Sequence, residues 1–205
     1  MKKEDTFDFL LRAAIPEVTE KKKLPEELRN NKDKEDYSEK KLVWECISKA
    51  HRDVLSGRKY VANYSSMKDG DINKAALKLY KIITGEQKIK LSSNYLINQM
   101  MSEEGYRIGT VQKLVNMTLK YMFLLQLYEK LEGYDIAEDT IDCPLDSIIL
   151  RKLKRGNIKW TKDFQNDEKL DGRDMYDKIQ GEIAVEQNKK SKSKISYDFE
   201  NWQRF

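Results

Sequence analysis

Apolar residues recur at i, i+3 and i+4 along most of this chain, the spacing of helices with one buried face. Leu42, Val43, Cys46, Ile47, Ala50, Val54 and Leu55 form one such stripe, ending before Gly57. Ile72, Ala75, Ala76, Leu79, Tyr80 and Ile83 form the next. The turn Asp69-Gly70-Asp71 opens it with an N-cap, and Gly85 closes it. Leu91 to Ser102 carries a third. Val111 to Leu131 reads as the longest and most apolar helix, and as the central one. Leu145 to Leu153 and Met175 to Val185 follow. Near the start, Phe7, Leu10, Leu11 and Ala14 predict a short helix stopped near Pro16. Glu17 to Asn31 is charged loop or loosely packed helix, and Tyr60 to Tyr64 is a short helix. The tail from Ile195 to Phe205 is too aromatic for a solvated end and is expected to pack on the body. Strand alternation is thin, and no repeat is visible. With three prolines and nine glycines, the pattern predicts an all-α bundle with short connections, one domain over residues 1–205.

Composition narrows the chemistry. Hydrophobic residues make up 39% and charged residues 36% of 205 positions, which predicts a modest core under a charged surface. No run approaches the roughly 18 apolar residues of a membrane span. Met1-Lys2-Lys3-Glu4-Asp5 does not read as a secretory leader, so a cytoplasmic, nucleoid-associated protein is expected. Two cysteines, Cys46 and Cys143, and one histidine, His51, are too few for a disulfide framework or a Cys/His metal centre. No metal and no cofactor is expected. His51, beside Arg52 and Asp53 on a charged helix, reads as a solvated surface residue. Any catalysis therefore falls to lysines and carboxylates.

Net charge is only +4, but its distribution is uneven. Residues 147–162 hold six bases (Arg151, Lys152, Lys154, Arg155, Lys159, Lys162) and no acid. Residues 131–146 hold six acids and no base. Lys189, Lys190, Lys192 and Lys194 form a second basic run. The ordinary meaning of such runs is a solvated face; the alternative is a surface for phosphates.

One pair stands out. Lys113 ends Ile108-Gly109-Thr110-Val111-Gln112-Lys113, at the mouth of the central helix. Asp146 lies in Cys143-Pro144-Leu145-Asp146-Ser147, at the mouth of the next. A tight turn into a helix leaves backbone N–H groups facing outward at the positive end of the dipole, a cradle for one phosphate. Gly109 gives such a turn its backbone freedom. Asp146, after the chain-breaking Pro144, is stabilised by its own helix N-terminus. A basic helix follows.

A turn, a lysine and a downstream Pro-x-Asp at a helix start resemble the helix-hairpin-helix DNA glycosylase superfamily. The 33-residue separation of Lys113 and Asp146 is longer than in common members. It is similar to the archaeal 8-oxoguanine glycosylase branch, which carries a second lysine two turns on, here Lys120. That branch also has an Asp and a Trp four residues apart near the C-terminus, matched by Asp198 and Trp202, and an aromatic from an early helix, matched by Trp44. The resemblance thus touches positions from Trp44 to Trp202, strongest from Gly109 to Leu150. The hairpin departs from the pattern: it keeps Gly109, while Val111 takes the second glycine's place. No glutamine near Thr6 matches the one that reads an oxidised purine in the family.

The resemblance implies a hairpin and catalytic helix over about 103–131, a Pro-x-Asp helix over 144–154 and a pocket segment over 195–205. It implies a monomer that binds double-stranded DNA and flips one modified base into a pocket. Trp44 and Trp202 would sandwich the base, with Met117 in the wall and Lys120 and Asp198 on its polar edge. Lys113 would attack C1′ as a neutral amine, or Asp146 would direct a water. Arg107, Gly109, Thr110, Gln112, Arg151 and Lys152 would meet the DNA backbone, with Gln112 reaching the opposite strand. The role would be base-excision repair or defence against modified phage DNA. Each residue also has an ordinary reading: Lys113 and Lys120 solvated, Asp146 only an N-cap, Trp44 and Trp202 in the core, Trp160 packed under the basic loop. Two rival functions remain, a non-catalytic helical DNA-binding module and a helical protein-interaction factor. The first rival predicts that Lys113 and Asp146 lie apart or face solvent.

Overall fold

The computed structural model describes residues 36–56, 69–85, 90–102, 105–127, 131–162, 164 and 171–202. The helices expected around Phe7–Ala14 and Tyr60–Tyr64, and the loop over Glu17–Asn31, lie outside them. The described chain is mostly helical with little strand. In order come α1 (Asp36–Ser56), α2 (Asp69–Gly85), a two-residue strand β1 (Lys90–Leu91), α3 (Ser93–Met101) and α4 (Ile108–Leu127). Strand β2 (Asp135–Ile136), α5 (Ser147–Lys152), α6 (Gly172–Asn188) and α7 (Lys194–Trp202) follow, with 3-10 turns at Glu138–Thr140 and Trp160–Lys162.

Helix α4 is the axis of the fold. Every residue from Ile108 to Leu125 is buried. A helix buried all round belongs in the middle of a domain, covered on several sides. α1, α3 and α6 pack along it, and the Trp160–Lys162 turn closes another side. The α1 stripe meets it through Val43, Ile47, Ala50 and Val54, all fully buried. α2 leans on α1 and α3, contributing Ile72, Leu79 and Ile83. α7 returns to pack on α6 through the buried Ile195 and Tyr197, as the aromatic tail required. Among the described residues α1 covers 21 positions and α4 covers 20.

The acidic segment is fastened to the front of α3. β1 and β2 pair in parallel, Lys90 with Asp135 and Leu91 with Ile136. Thr140 donates its hydroxyl to the Leu91 carbonyl at 3.1 Å, and the Asp142 N–H donates to Ser93 Oγ at 2.8 Å. This short pairing had no signature in the sequence, because two residues cannot display a period of two. The acids divide as their positions require: Glu132, Asp135, Glu138 and Asp139 are exposed, while Asp142 is buried. Asp142 accepts from Tyr176 Oη at 2.6 Å and pairs with Lys194, so its charge is matched.

The start of α4 differs from expectation. The helix begins at Ile108, and the carbonyl of Arg107 accepts from the N–H groups of Thr110 and Val111 at 3.1 and 2.9 Å. Gly109 is therefore the helix's second residue, not part of a turn. The left-handed residue is Gly105, at φ 97°, four positions earlier. Lys113 sits on the second turn of the helix rather than at its mouth.

Candidate active site

Lys113 and Lys120 are seven residues apart on α4, so they share a face about 10 Å apart along the axis. Neither is solvated. The side chains retain 8% and 1% exposure. A buried ammonium needs a counter-charge, and each has an aspartate from a different C-terminal element. Lys113 Nζ lies 3.7 Å from Asp146 Oδ2. Lys120 Nζ donates to Asp198 Oδ2 at 2.5 Å. Lys120 also stands 5.1 Å from the Phe199 ring centre, and Lys113 stands 4.7 Å from that of Trp160. Met117, one turn from Lys113 on the same face, is buried between the two pairs.

The two carboxylates act on one neighbour. Cys143 is fully buried, and its thiol is pushed well above the ordinary value, first by burial and then by Asp198 and Asp146. The carboxylates of both pairs are thus felt at the segment that leads into α5.

Asp146 is placed by that segment. It caps α5, its Oδ1 accepting from the N–H groups of Ile148 and Ile149 at 2.8 and 3.1 Å. The ordinary reading of Asp146 as an N-cap is therefore correct, and the cap uses only one of its oxygens. Oδ2 turns to Lys113, and the carboxylate keeps 26% exposure. Two buried glutamines hold the approach. Gln112 donates to the Leu145 carbonyl at 2.8 Å and accepts from the Leu145 N–H at 3.1 Å. Gln180 does the same for Cys143, at 2.7 and 3.1 Å. Each amide satisfies both polar groups of one buried backbone unit.

This corrects the role expected for Gln112. It is fully buried with both ends of its amide engaged, so it cannot reach a DNA strand. Gly109 and Thr110 are buried as well, inside the first turn of α4, and offer no open phosphate cradle. Arg107 is half-buried just ahead of that helix. Arg151 and Lys152 are exposed at the end of α5, as a backbone-contact role needs. There the chain turns through Lys154, which adopts a left-handed φ of 58°. A cleft of about 510 Å³ opens beside it, between Lys154, Arg155 and Asn157 on one side and Met175 and Glu182 on the other. Arg155 is committed to a two-point ion pair with Glu182, which leaves Arg151, Lys152, Lys154 and Lys159 as the exposed positive groups among the described residues of this stretch.

Trp44 is half-buried on α1 and meets Tyr80 of α2 edge-on at 5.6 Å. The backbone of Trp202 closes α7, four residues after Asp198, while its side chain lies outside the described residues. His51 is half-buried rather than solvated. Sequence reasoning missed two participants: Gln180, which had no signal, and Phe199, which the Asp198-containing tail already carried; Trp160, expected under the basic loop, is buried with its ring facing Lys113. Among the described residues no group of three His, Cys, Asp or Glu side chains is placed to hold a metal, and no helix is long and apolar enough to cross a membrane.

Compared with protein-family models, curated proteins and solved structures, the chain matches none.

Proposed function

We propose that this chain is a DNA glycosylase that flips a modified base from double-stranded DNA and cleaves its bond to the sugar. The observation that carries the reading is the pairing of Lys113 with Asp146 and of Lys120 with Asp198 on one face of α4. Two lysine–aspartate pairs about 10 Å apart span roughly one nucleoside. The open pair would take the sugar carbon and the sealed pair the polar edge of the base. In this reading α3, the turn at Gly105 and α4 serve as the hairpin, and Lys152, Lys154 and Lys159 contribute to phosphate attraction.

Cleavage develops positive charge on the sugar. A carboxylate held by two backbone N–H groups is fixed in place and needs no reorganisation to stabilise that charge. Asp146 has this form. Either of two nucleophiles completes the step. Lys113 as a free amine attacks C1′, and the base leaves with the electron pair of the broken bond and a proton. Alternatively a water attacks, and Asp146 takes its proton. The ammonium of Lys113 then stays in place as the counter-charge of Asp146.

The basic loop alone also supports a DNA-binding module without catalysis. The test is incubation with a panel of duplexes, each holding one modified base, followed by borohydride trapping and mapping of any adduct. Base release with an adduct on Lys113 supports the amine route. Release without an adduct keeps the glycosylase and assigns the step to water and Asp146. DNA binding with neither product on any duplex supports the binding module and overturns the proposal.

A further inference from the structure

Trp160 is the residue on this site that no part of the proposed chemistry uses. It is buried in the 3-10 turn Trp160–Lys162, which packs on α4. Its ring centre lies 4.7 Å from Lys113 Nζ, inside the range at which a cation is drawn to an indole face. Among the described residues, Asp146 from the α5 cap is the ion-pair partner of this amine. The next lysine on the face, Lys120, is about two turns away and committed to Asp198.

Both neighbours of Lys113 are partners of an ammonium. A neutral amine forfeits the ion pair with Asp146 and the attraction of the indole face together. The two routes differ in that one respect: attack by Lys113 requires the proton gone, and attack by water does not. Resting on the glycosylase reading, we infer that Trp160 is a positioning residue that holds Lys113 in its contact with Asp146 and so directs the reaction toward water. The balance of each route is simple. In the amine route the Nζ lone pair bonds to C1′, the bond to the base breaks, and a proton from nitrogen ends on the base. The C1′–O4′ bond then opens, O4′ takes from water the proton that Lys113 had given up to become a neutral amine, and a protonated Schiff base remains for borohydride to reduce. In the water route the oxygen lone pair bonds to C1′, Asp146 receives a proton, and that proton passes to the departing base. Trp160 enters neither balance; it changes only which nucleophile is available.

The test replaces Trp160 alone with ring-fluorinated tryptophans carrying one to four fluorines, introduced at that codon. Fluorine drains negative charge from the ring face while nearly preserving its size, so packing is held and the cation attraction is lowered. The measured quantity is the ratio of borohydride-trapped adduct to base released without adduct, at one pH and one DNA concentration. The ratio is expected to climb with each fluorine, reaching about tenfold across the series, the scale of a desolvated cation–indole contact. A ratio that stays flat overturns the inference. A ratio that falls also overturns it, because Trp160 would then be aiming the amine for attack. If the unsubstituted protein yields neither product, the glycosylase reading itself fails and takes this inference with it. The contact is checked without DNA by reductive methylation with a carbon-13 label. A Lys113 methyl signal displaced by the indole ring current, and returned to the ordinary lysine position in Trp160→Leu, supports the contact; an undisplaced signal overturns it.

Discussion

The two lysine–aspartate pairs of α4 are built from the same residue types, yet they are opposites. Lys120 and Asp198 are hydrogen-bonded at 2.5 Å, with 1% and 9% of their side chains exposed. Lys113 and Asp146 are 3.7 Å apart, too far for a hydrogen bond, and the carboxylate stays 26% exposed. A tight, sealed pair is a fixture: its charges have no water to turn to, so each must keep its partner. A loose pair at an open edge can admit a third atom between its members. Burial alone would have marked Lys120 as the more unusual residue. In the proposed reading, looseness suits Lys113 and Asp146 to the step in which bonds change, and the sealed pair is the rigid element beside it.

Removing one member of the sealed pair should give the largest effect. Lys120→Ala leaves the Asp198 carboxylate buried and unmatched, at a cost of about 3–5 kcal/mol. A urea melt reads this directly. The joint change Lys120→Met with Asp198→Leu should recover most of it, because an apolar pair leaves no stranded charge. A Lys120→Ala protein that melts like the parent would show that the pair is not sealed.

A smaller loss is expected at the clamp. Gln112→Ala strands the N–H and C=O of Leu145, groups whose buried desolvation costs about 1–3 kcal/mol. Hydrogen exchange at the Leu145 amide should accelerate, and base release should fall with it, since the clamp sets the position of Asp146. Unchanged exchange would mean that Gln112 is packing only.

Smaller still is the stability difference between two changes at the open pair. Both Asp146→Ala and Asp146→Asn take the counter-charge from the mostly buried Lys113, but only Asp146→Ala also removes the α5 cap, so it should be the less stable of the two by about 1 kcal/mol. Both should lower base release equally. A release rate that follows the stability ranking would make Asp146 a cap and nothing more.

The last effect concerns the outer anchor of α7. The Lys192 ammonium, hydrogen-bonded to Glu200, holds that carboxyl below its ordinary value, with Lys190 adding to it. A depressed carboxyl contributes stability above its unfolded value of about 4.5, and loses it as pH falls through the depressed value. The group is half-buried at the surface and screened by solvent, so the contribution should stay within about 0.5 kcal/mol. Acid titration of Glu200→Gln beside the parent should show that small difference vanish at low pH.

The contrast between the pairs was only partly legible in the sequence. Pro144 ahead of Asp146 announced a helix cap because local chain geometry dictates it, and α5 starts there. The helical stripes of α1, α3, α4 and α6 were legible because apolar spacing follows from burial. The left-handed turn was placed at Gly109 and lies at Gly105, since either glycine permits it and only the packed start of α4 decides. The burial of Lys113 and Lys120 was not legible from α4 itself. Their counter-charges lie 33 and 78 residues downstream; the sequence grouped Lys113 with Asp146 and Lys120 with Asp198, but only the returning α5 and α7 show that each pair is buried together. The clamps are invisible for the same reason, since a glutamine advertises nothing of which backbone unit it holds.

The most direct test of the account is single-turnover base release by Asp146→Asn against the parent, across DNA concentration, on the duplex that the parent cleaves fastest. Both routes need this carboxylate, and the asparagine keeps the cap. The account predicts a maximal rate lowered by about 100-fold or more, with the half-saturating DNA concentration within about twofold of the parent. An Asp146→Asn protein that releases base at the parent's rate would contradict it.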